Sequence, residues 1–242
     1  DDSLLLARYL PVTFLSLEFL MVTTTRIDNL KNYVYLATHF RNSYELIRAF
    51  RNGPPCSTAV RWNGNRVVHP KDRDGFVGTI LELWKDRCYT RQDFYHPQDG
   101  DYVVDAGAHV GLFSLSIAFE NPNCHILALE PFAENFQCLT KNLQESEAFN
   151  VRPLPYALGG EQQTAFMKSV GGRSIDHLLQ NQPDGDSRPV QVISLEGILR
   201  LLQTDRVAML KMDVEGAEHD AFAVASTDTL ARFERIAMEY HD

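Results

Sequence analysis

The spacing of hydrophobic and polar positions changes near residue 100. Before it, apolar side chains recur at helical intervals through residues 1–52, and two short β-rich runs flank Asn63-Gly64. These patterns predict amphipathic helices followed by an antiparallel hairpin, because both positions of an Asn-Gly turn favour positive φ. A further short helix is predicted over Thr79–Trp84. We therefore expect residues 1–97 to form an N-terminal helical and hairpin cap.

Short apolar runs alternate with helical patterns over residues 98–242, the predicted core. This alternation predicts an α/β fold with a mostly parallel sheet and helices on both faces. A β insertion is expected at 159–194, between the third and fourth strands. The predicted strands are Tyr102–Asp105, His125–Glu130, Val151–Leu158 (an edge strand, because it contains two prolines), Val207–Asp213 and Arg235–Tyr240.

A glycine-containing turn, Gly107-Ala108-His109-Val110-Gly111, lies between the first core strand and an apolar helix pattern. Strand, glycine turn and helix in this order are typical of a nucleotide-sized site in α/β proteins. Glycine allows the backbone to turn tightly and to approach a ligand closely. Such turns also serve plain helix–strand packing, so the turn alone does not establish a ligand.

Composition narrows the function classes. Residues 101–242 carry 21 Asp/Glu against 10 Lys/Arg, which argues against a nucleic-acid surface and suits either a cationic ligand or a solvated acidic surface. The four cysteines have no CxxC spacing, so we expect no zinc site or disulfide framework and a cytoplasmic protein. The apolar run Leu10–Val22 is too short and interrupted to span a membrane, and we expect it to be a buried helix or strand.

Taken together, these segments resemble class I S-adenosylmethionine-dependent methyltransferases with a Rossmann-like core. Specifically, they resemble the FkbM-type family, whose known members mostly methylate hydroxyl groups of natural products and sugars. The resemblance covers roughly residues 76–242, and its most specific block is Lys211–Glu218. The segments that carry it are Val104–Gly111, Leu129–Asn135, Pro155–Gly159, Ile193–Glu196 and Leu210–Glu218.

The resemblance implies a site for S-adenosylmethionine, with S-adenosylhomocysteine as the product. The turn from Gly107 to Gly111 would hold the amino-acid end of the cofactor. Glu130 would accept hydrogen bonds from the ribose hydroxyls, as an acidic residue does in dinucleotide-binding folds. The other implied residues are Asp105 (orienting the turn or meeting the ammonium), Ala108, His109 (contacting the cofactor or only capping the turn), Pro131, Phe132 (covering the adenine or packing in the core) and Ala157.

Methyl transfer to a hydroxyl group needs a base, because an aliphatic hydroxyl is a poor nucleophile. A positioned base typically contributes about 10²- to 10⁴-fold in rate. Asp213, at the end of the fourth strand, is our first candidate, followed by Glu215 and His219, although His219 also fits a solvent-facing helix position. Strand alternation places Lys211 on the same side as Asp213, where an ion pair could orient the carboxylate.

Several alternatives stay open. Asp213 and Glu239 end adjacent predicted strands and could hold Mg²⁺, but two carboxylates are too few for us to favour a metal. An NAD(P)-dependent oxidoreductase would need Gly-x-Gly-x-x-Gly, and Ala108 breaks that register. A catalytically silent cofactor-binding module would share this fold.

The acceptor cannot be identified from the sequence, and neither can the oligomeric state. Tyr89, Trp84 and the loop Gly171–Ser174 either line its pocket or are structural. Class I methyltransferases usually continue past the fifth strand with two further strands. We expect either such a tail or another element, for example from the cap, to cover that edge of the sheet.

Overall fold

A computed structural model describes most of the chain. The described residues are 28–52, 59–62, 65–68, 76–161, 163–169, 177–180, 182–183, 185, 187–214 and 216–239. The predicted buried segment Leu10–Val22, the loop Gly171–Ser174 and the candidate base Glu215 lie outside them. Within the described part, no helix combines the length and hydropathy that a bilayer crossing requires.

The described part of the cap contains helices and the predicted hairpin, whereas the helical pattern over residues 1–27 lies outside the described residues. Its elements are α1 (28–39), α2 (Ser43–Asn52), β1 (Ala59–Trp62), β2 (Asn65–Val68) and α3 (Phe76–Ile80). β1 and β2 pair antiparallel, as predicted. The short helix predicted over Thr79–Trp84 is the end of α3 and a π-helical turn, Leu81–Lys85, that continues it directly.

The core begins with β3 (Tyr102–Ala106), α4 (Leu112–Glu120), β4 (His125–Leu129), α5 (Ala133–Glu145) and β5 (Val151–Leu154). The insertion contains β6 (Tyr156–Leu158), β7 (Thr164–Ser169), β8 (His177–Gln180) and β9 (Arg188–Ile193). The chain continues through α6 (Leu195–Leu202), β10 (Met209–Met212), α7 (Glu218–Ala223), α8 (Thr227–Leu230) and β11 (Ile236–Met238). The predicted core strands are present with ends that differ by a few residues, except for Val151–Leu158.

Five strands form the central sheet in the order β11-β10-β3-β4-β5, and all neighbours are parallel. Alternate residues of each strand face opposite sides, because a strand has a period of two. Val103 and Ile126 pack in one apolar cluster with α4 and α5, whereas Val104 and Leu127 pack in another with α6. The sheet therefore has helices on both faces, which confirms the predicted Rossmann-like α/β core.

The prediction of one continuous strand over Val151–Leu158 is wrong. The chain breaks at Pro155, so that β5 ends the central sheet and β6 joins a second, four-stranded sheet in the order β6-β9-β7-β8. Proline has no backbone N–H to donate to a ladder, which explains the break at this position. The edge position of the third core strand is confirmed by β5. β8 was not predicted, because turn residues dominate the stretch around it.

The cap packs directly on the core. One apolar cluster includes Leu46 and Phe76 of the cap together with Leu115 and Ile117 of α4. Trp84 is buried, and its indole N–H donates to the Leu112 carbonyl at 2.9 Å, so it is structural. This shared packing joins elements from both sides of residue 97, and the domain boundary placed there stays a prediction.

Asn142 of α5 attaches the hairpin to the core. Its side-chain oxygen accepts from the Val68 N–H at 2.7 Å, and its amide donates to the carbonyls of Val68 and Val110, each at 2.8 Å. The side chain is fully buried and satisfied on both polar atoms. It therefore has a structural role, joining the hairpin to the core.

Candidate functional site

A cavity of about 920 Å³ opens at the carboxyl ends of the parallel strands. Open α/β sheets bind ligands at this edge. Residues that follow β3, β4, β10 and β11 form its floor, and Ala157 and Met167 of the insertion line it as well. The cap contributes side chains from the π-helical turn and from residues 88–94, including Glu82, Tyr89 and Phe94.

The glycine turn after β3 is attached to the neighbouring strand by its backbone. The N–H groups of Gly107 and Ala108 both donate to the Leu129 carbonyl, at 3.0 and 2.8 Å. Gly107 has φ +75°, and a Cβ at this position would lie 1.8 Å from the Asp213 carbonyl oxygen. Such a contact is impossible without moving the backbone, so glycine is required here. The result is a bare stretch of backbone on the cavity wall.

Gly111, the other glycine of the turn, has a different structural role. It also has a positive φ, +88°, and it is the residue from which α4 begins. A Cβ there would lie 2.6 Å from the side chain of Leu139 in α5. Gly111 is not among the residues that line the cavity, so its geometry serves the packing of α4 against α5.

Glu130 follows β4 and points into the same space. Its carboxylate accepts from the backbone N–H of His109 at 2.7 Å and of Phe132 at 2.9 Å, and from the side-chain amide of Asn135 at 3.3 Å. The residue is only 5% exposed. Burial raises the pKa of Glu130 to about 7, although its three hydrogen bonds act in the opposite direction. The carboxyl group can therefore change its charge near neutral pH.

Lys211 of β10 lies between the glycine turn and two carboxylates. Its Nζ is 3.3 Å from Asp105 Oδ1 and 3.6 Å from Asp213 Oδ2, and it donates to the Gly107 carbonyl at 2.7 Å. Burial opposes the charge, but Asp105 and Asp213 outweigh it and raise the pKa of Lys211. The ion pair predicted between Lys211 and Asp213 is thus present, and the ammonium stays charged.

Asp105 lies behind the glycine turn and does not line the cavity. It is fully buried, and its second oxygen accepts from Ser114 Oγ at 2.7 Å. Of the two roles considered for Asp105, this position favours orienting the turn.

Asp213 and Glu239 meet the cap at Tyr89. The Tyr89 hydroxyl is 3.4 Å from Asp213 Oδ2 and 3.5 Å from Glu239 Oε2, and its ring packs edge-on against Phe113. Burial, followed by the charge of Asp213, raises the pKa of Tyr89 well above its usual value. The phenol therefore keeps its proton and faces the carboxylates as a hydrogen-bond donor. Tyr89 lines the cavity, which agrees with the pocket-lining role, one of the two roles that the sequence allowed for it.

The cavity brings together most of the residues predicted for the site, but not all of them. Phe132 is partly exposed and is not among the lining residues, and the side chain of His219 is 84% exposed on α7, also outside the lining. The predicted residues that do line the cavity are Gly107, Ala108, His109, Glu130, Pro131, Ala157 and Asp213.

Asn135 is the lining residue that sequence reasoning underrated. It is 2% exposed and donates to Glu130. The available signal was its position in the first turn of the helix that follows the acidic strand end, where a polar side chain can reach back to that end. Among the described residues, no group of three or more His, Cys, Asp or Glu side chains is arranged to hold a metal ion.

A comparison with protein families adds the decisive observation. The model of the methyltransferase FkbM domain matches residues 105–242, more than half of the chain. The chain belongs to this family. The matched segment includes every side chain of the floor of the cavity, from the glycine turn to Glu239, whereas the cap residues that line the cavity precede it.

Individual relatives of this FkbM-domain protein are distant. It is 24% identical over 209 residues to 31-O-demethyl-FK506 methyltransferase FkbM of Streptomyces tacrolimicus, covering 74% of this chain and 80% of that protein. It is 28% identical over 159 residues to Methyltransferase 1 of Beauveria bassiana, covering 57% of this chain and 63% of that protein. It is 25% identical over 197 residues to the AMB antimetabolite synthetase AmbE of Pseudomonas aeruginosa, covering 66% of this chain and 9% of that protein.

The chain thus spans less than two thirds of the length of two of these three relatives. Among solved structures, it matches a SAM-dependent methyltransferase from Aquifex aeolicus with a TM-score of 0.35 and 13% identity, covering 68% of this chain and 70% of that one.

Proposed function

We propose that this protein transfers a methyl group from S-adenosylmethionine to a hydroxyl group of a small molecule, releasing S-adenosylhomocysteine. The observation that carries the proposal is the arrangement of one cavity. The glycine turn and the buried Glu130 form one part of its wall, which we name the cofactor end, and the carboxylates of Asp213 and Glu239 form with Tyr89 a neighbouring part, the acceptor end. This arrangement suits a nucleoside cofactor and an acceptor that meet between the two ends.

The residues at the first end fit the cofactor. Gly107 lines the cavity without a side chain, so a ligand can approach the backbone of the turn closely. Glu130 presents a carboxylate at the end of the strand next to the turn, where an acidic residue binds ribose hydroxyls in dinucleotide folds. Ala157 lines the same cavity as Glu130 and Pro131 and would border the adenine.

Asp213 is the proposed base. When bound, S-adenosylmethionine supplies the electrophilic methyl group. The acceptor oxygen bonds to this methyl group while the bond between the methyl group and sulfur breaks. Asp213 accepts the hydroxyl proton. Its Oδ2 faces Lys211 and Tyr89, while Oδ1 has no hydrogen-bond partner among the described residues and is left to face the acceptor. Glu215 is the second candidate and His219 a weaker one, because the His219 side chain is exposed outside the cavity lining.

The cap is the proposed acceptor side. Its residues Glu82, Leu83 and Phe94 line the same cavity as Asp213 and Tyr89, so the acceptor would meet both charged and apolar groups there. The printed name of the Streptomyces tacrolimicus relative describes methylation of an oxygen on FK506, and this supports a hydroxyl of a natural product, polyketide or sugar as the acceptor class.

The test is a search for product. The protein is incubated with S-adenosylmethionine carrying a deuterated methyl group and a panel of polyketides, sugars and other hydroxyl compounds, and mass spectrometry follows the label. We expect a labelled methyl ether with the native protein and none with Asp213→Ala. Binding of S-adenosylmethionine without labelled product across the panel would instead favour a silent binding module. Binding of NADH in a parallel titration would favour an oxidoreductase.

A further inference from the structure

Among the residues whose side-chain burial the structure describes, Lys211 is the only buried Lys or Arg. Burying an ammonium group is costly unless it is paired and hydrogen-bonded. Asp105, which is fully buried, supplies an opposite charge 3.3 Å away, but its Oδ1 accepts no hydrogen bond. The ammonium hydrogens therefore find their acceptors elsewhere.

The shortest contact of the ammonium group is with the glycine turn and not with a carboxylate. Lys211 Nζ donates to the Gly107 carbonyl at 2.7 Å, and the Ala106 carbonyl lies at 3.4 Å. The N–H of Gly107 is already bound to the Leu129 carbonyl. β4 thus holds the peptide groups on both sides of Gly107 through their N–H groups, and Lys211 additionally holds the carbonyl of the second one.

The same ammonium group reaches the other end of the cavity. It lies 3.6 Å from Asp213 Oδ2, the oxygen that Tyr89 also approaches. Lys211 donates hydrogen bonds to the two turn carbonyls, whereas its contacts with Asp105 and Asp213, at 3.3 and 3.6 Å, are ion pairs. Because Lys211 itself lines the cavity, these contacts are made at the wall and not in the distant core.

We propose that Lys211 is a positioning residue that fixes the glycine turn for the cofactor and holds Asp213 in register with it. The inference rests on the function proposed above. Lys211 acts through Gly107 and Asp213, and it needs no contact with either substrate. Lys211 pairs with Asp105, and Asp105 accepts a hydrogen bond from Ser114 of α4. These contacts anchor the ammonium group to α4.

The experiment compares four variants with the native protein: Lys211→Met, Asp105→Asn, the double variant Asp105→Asn/Lys211→Met, and Lys141→Met. Lys141 is an exposed lysine of α5 and controls for the loss of any lysine charge. The melting temperature measures the stability of the fold without ligand. Calorimetry measures the affinity for S-adenosylhomocysteine, which depends on the geometry of the turn. The double variant removes both buried charges and should melt at a higher temperature than Lys211→Met, which leaves Asp105 uncompensated.

We expect the double variant to bind S-adenosylhomocysteine about tenfold or more weakly than Asp105→Asn, since a hydrogen bond from a charged donor is lost. Lys141→Met should bind as the native protein does. Equal affinity of the double variant and Asp105→Asn would overturn the inference and leave Lys211 with a purely structural role. Absence of binding by the native protein would overturn the proposed function itself, and the inference with it.

Discussion

The two ends of the cavity are built in different ways. At the cofactor end, backbone groups at the strand ends form hydrogen bonds with one another or with a buried side chain. The contacts made by Gly107, Ala108, His109 and Lys211 are 2.7 to 3.0 Å long. At the acceptor end, Tyr89 from the cap faces Asp213 and Glu239 at 3.4 and 3.5 Å. The first end is therefore shaped before any ligand arrives, whereas the second has carboxylates that an acceptor can still engage.

Removing the proposed base should have the largest effect, and it should affect the acceptor end alone. Asp213→Ala should lower the rate of methyl transfer by about 10²- to 10⁴-fold, the usual contribution of a general base. Affinity for S-adenosylhomocysteine should change only several-fold, because the backbone of the turn is intact. Single-turnover rates and calorimetry measure the two effects. Near-normal turnover would show that Asp213 is not the base.

The cofactor end is tested by Glu130→Ala. Its carboxylate is expected to accept from the ribose hydroxyls, and each hydrogen bond to a charged group contributes about 1.5–3 kcal/mol. We therefore expect S-adenosylhomocysteine to bind about 10- to 100-fold more weakly. Calorimetry with the variant measures this loss, and unchanged affinity would remove the ribose assignment.

The sequence predicted the cofactor end better than the acceptor end, and the reason is physical. Gly107 and Glu130 directly follow apolar strands, and parallel strands place their carboxyl ends at one edge whatever the details of packing. Tyr89 reaches Asp213 across more than a hundred residues of chain, and only the packing of the cap on α4 brings them together. Strand periodicity likewise placed Lys211 beside Asp213 but did not reveal its contact with the Gly107 carbonyl.

The pKa of Glu130 predicts that ligand binding at the cofactor end depends on pH. With its pKa near 7, Glu130 is ionised above that pH and increasingly protonated below it. Ribose hydroxyls donate to the ionised form, so binding requires loss of the proton. Affinity for S-adenosylhomocysteine should be constant above about pH 7 and fall by up to about tenfold per pH unit below it. Calorimetry between pH 6 and 8 tests this, with Glu130→Gln as a control that should lose the dependence.

The smallest expected effect belongs to Tyr89→Phe. The variant keeps the ring that packs against Phe113 but loses a long hydrogen bond to Asp213. We expect a reduction of about 3- to 10-fold in the rate of transfer, at the low end for a hydrogen bond to a charged group, with cofactor affinity unchanged. A loss confined to S-adenosylhomocysteine binding would place Tyr89 at the cofactor end and contradict the comparison.

The central claim is that the strand ends around Glu130 and the glycine turn bind a sulfonium nucleoside. Its most direct test is a calorimetric titration of the native protein with S-adenosylmethionine and with S-adenosylhomocysteine. The account predicts saturable binding of both at a single site. Absence of heat and of any thermal shift with either compound would contradict it.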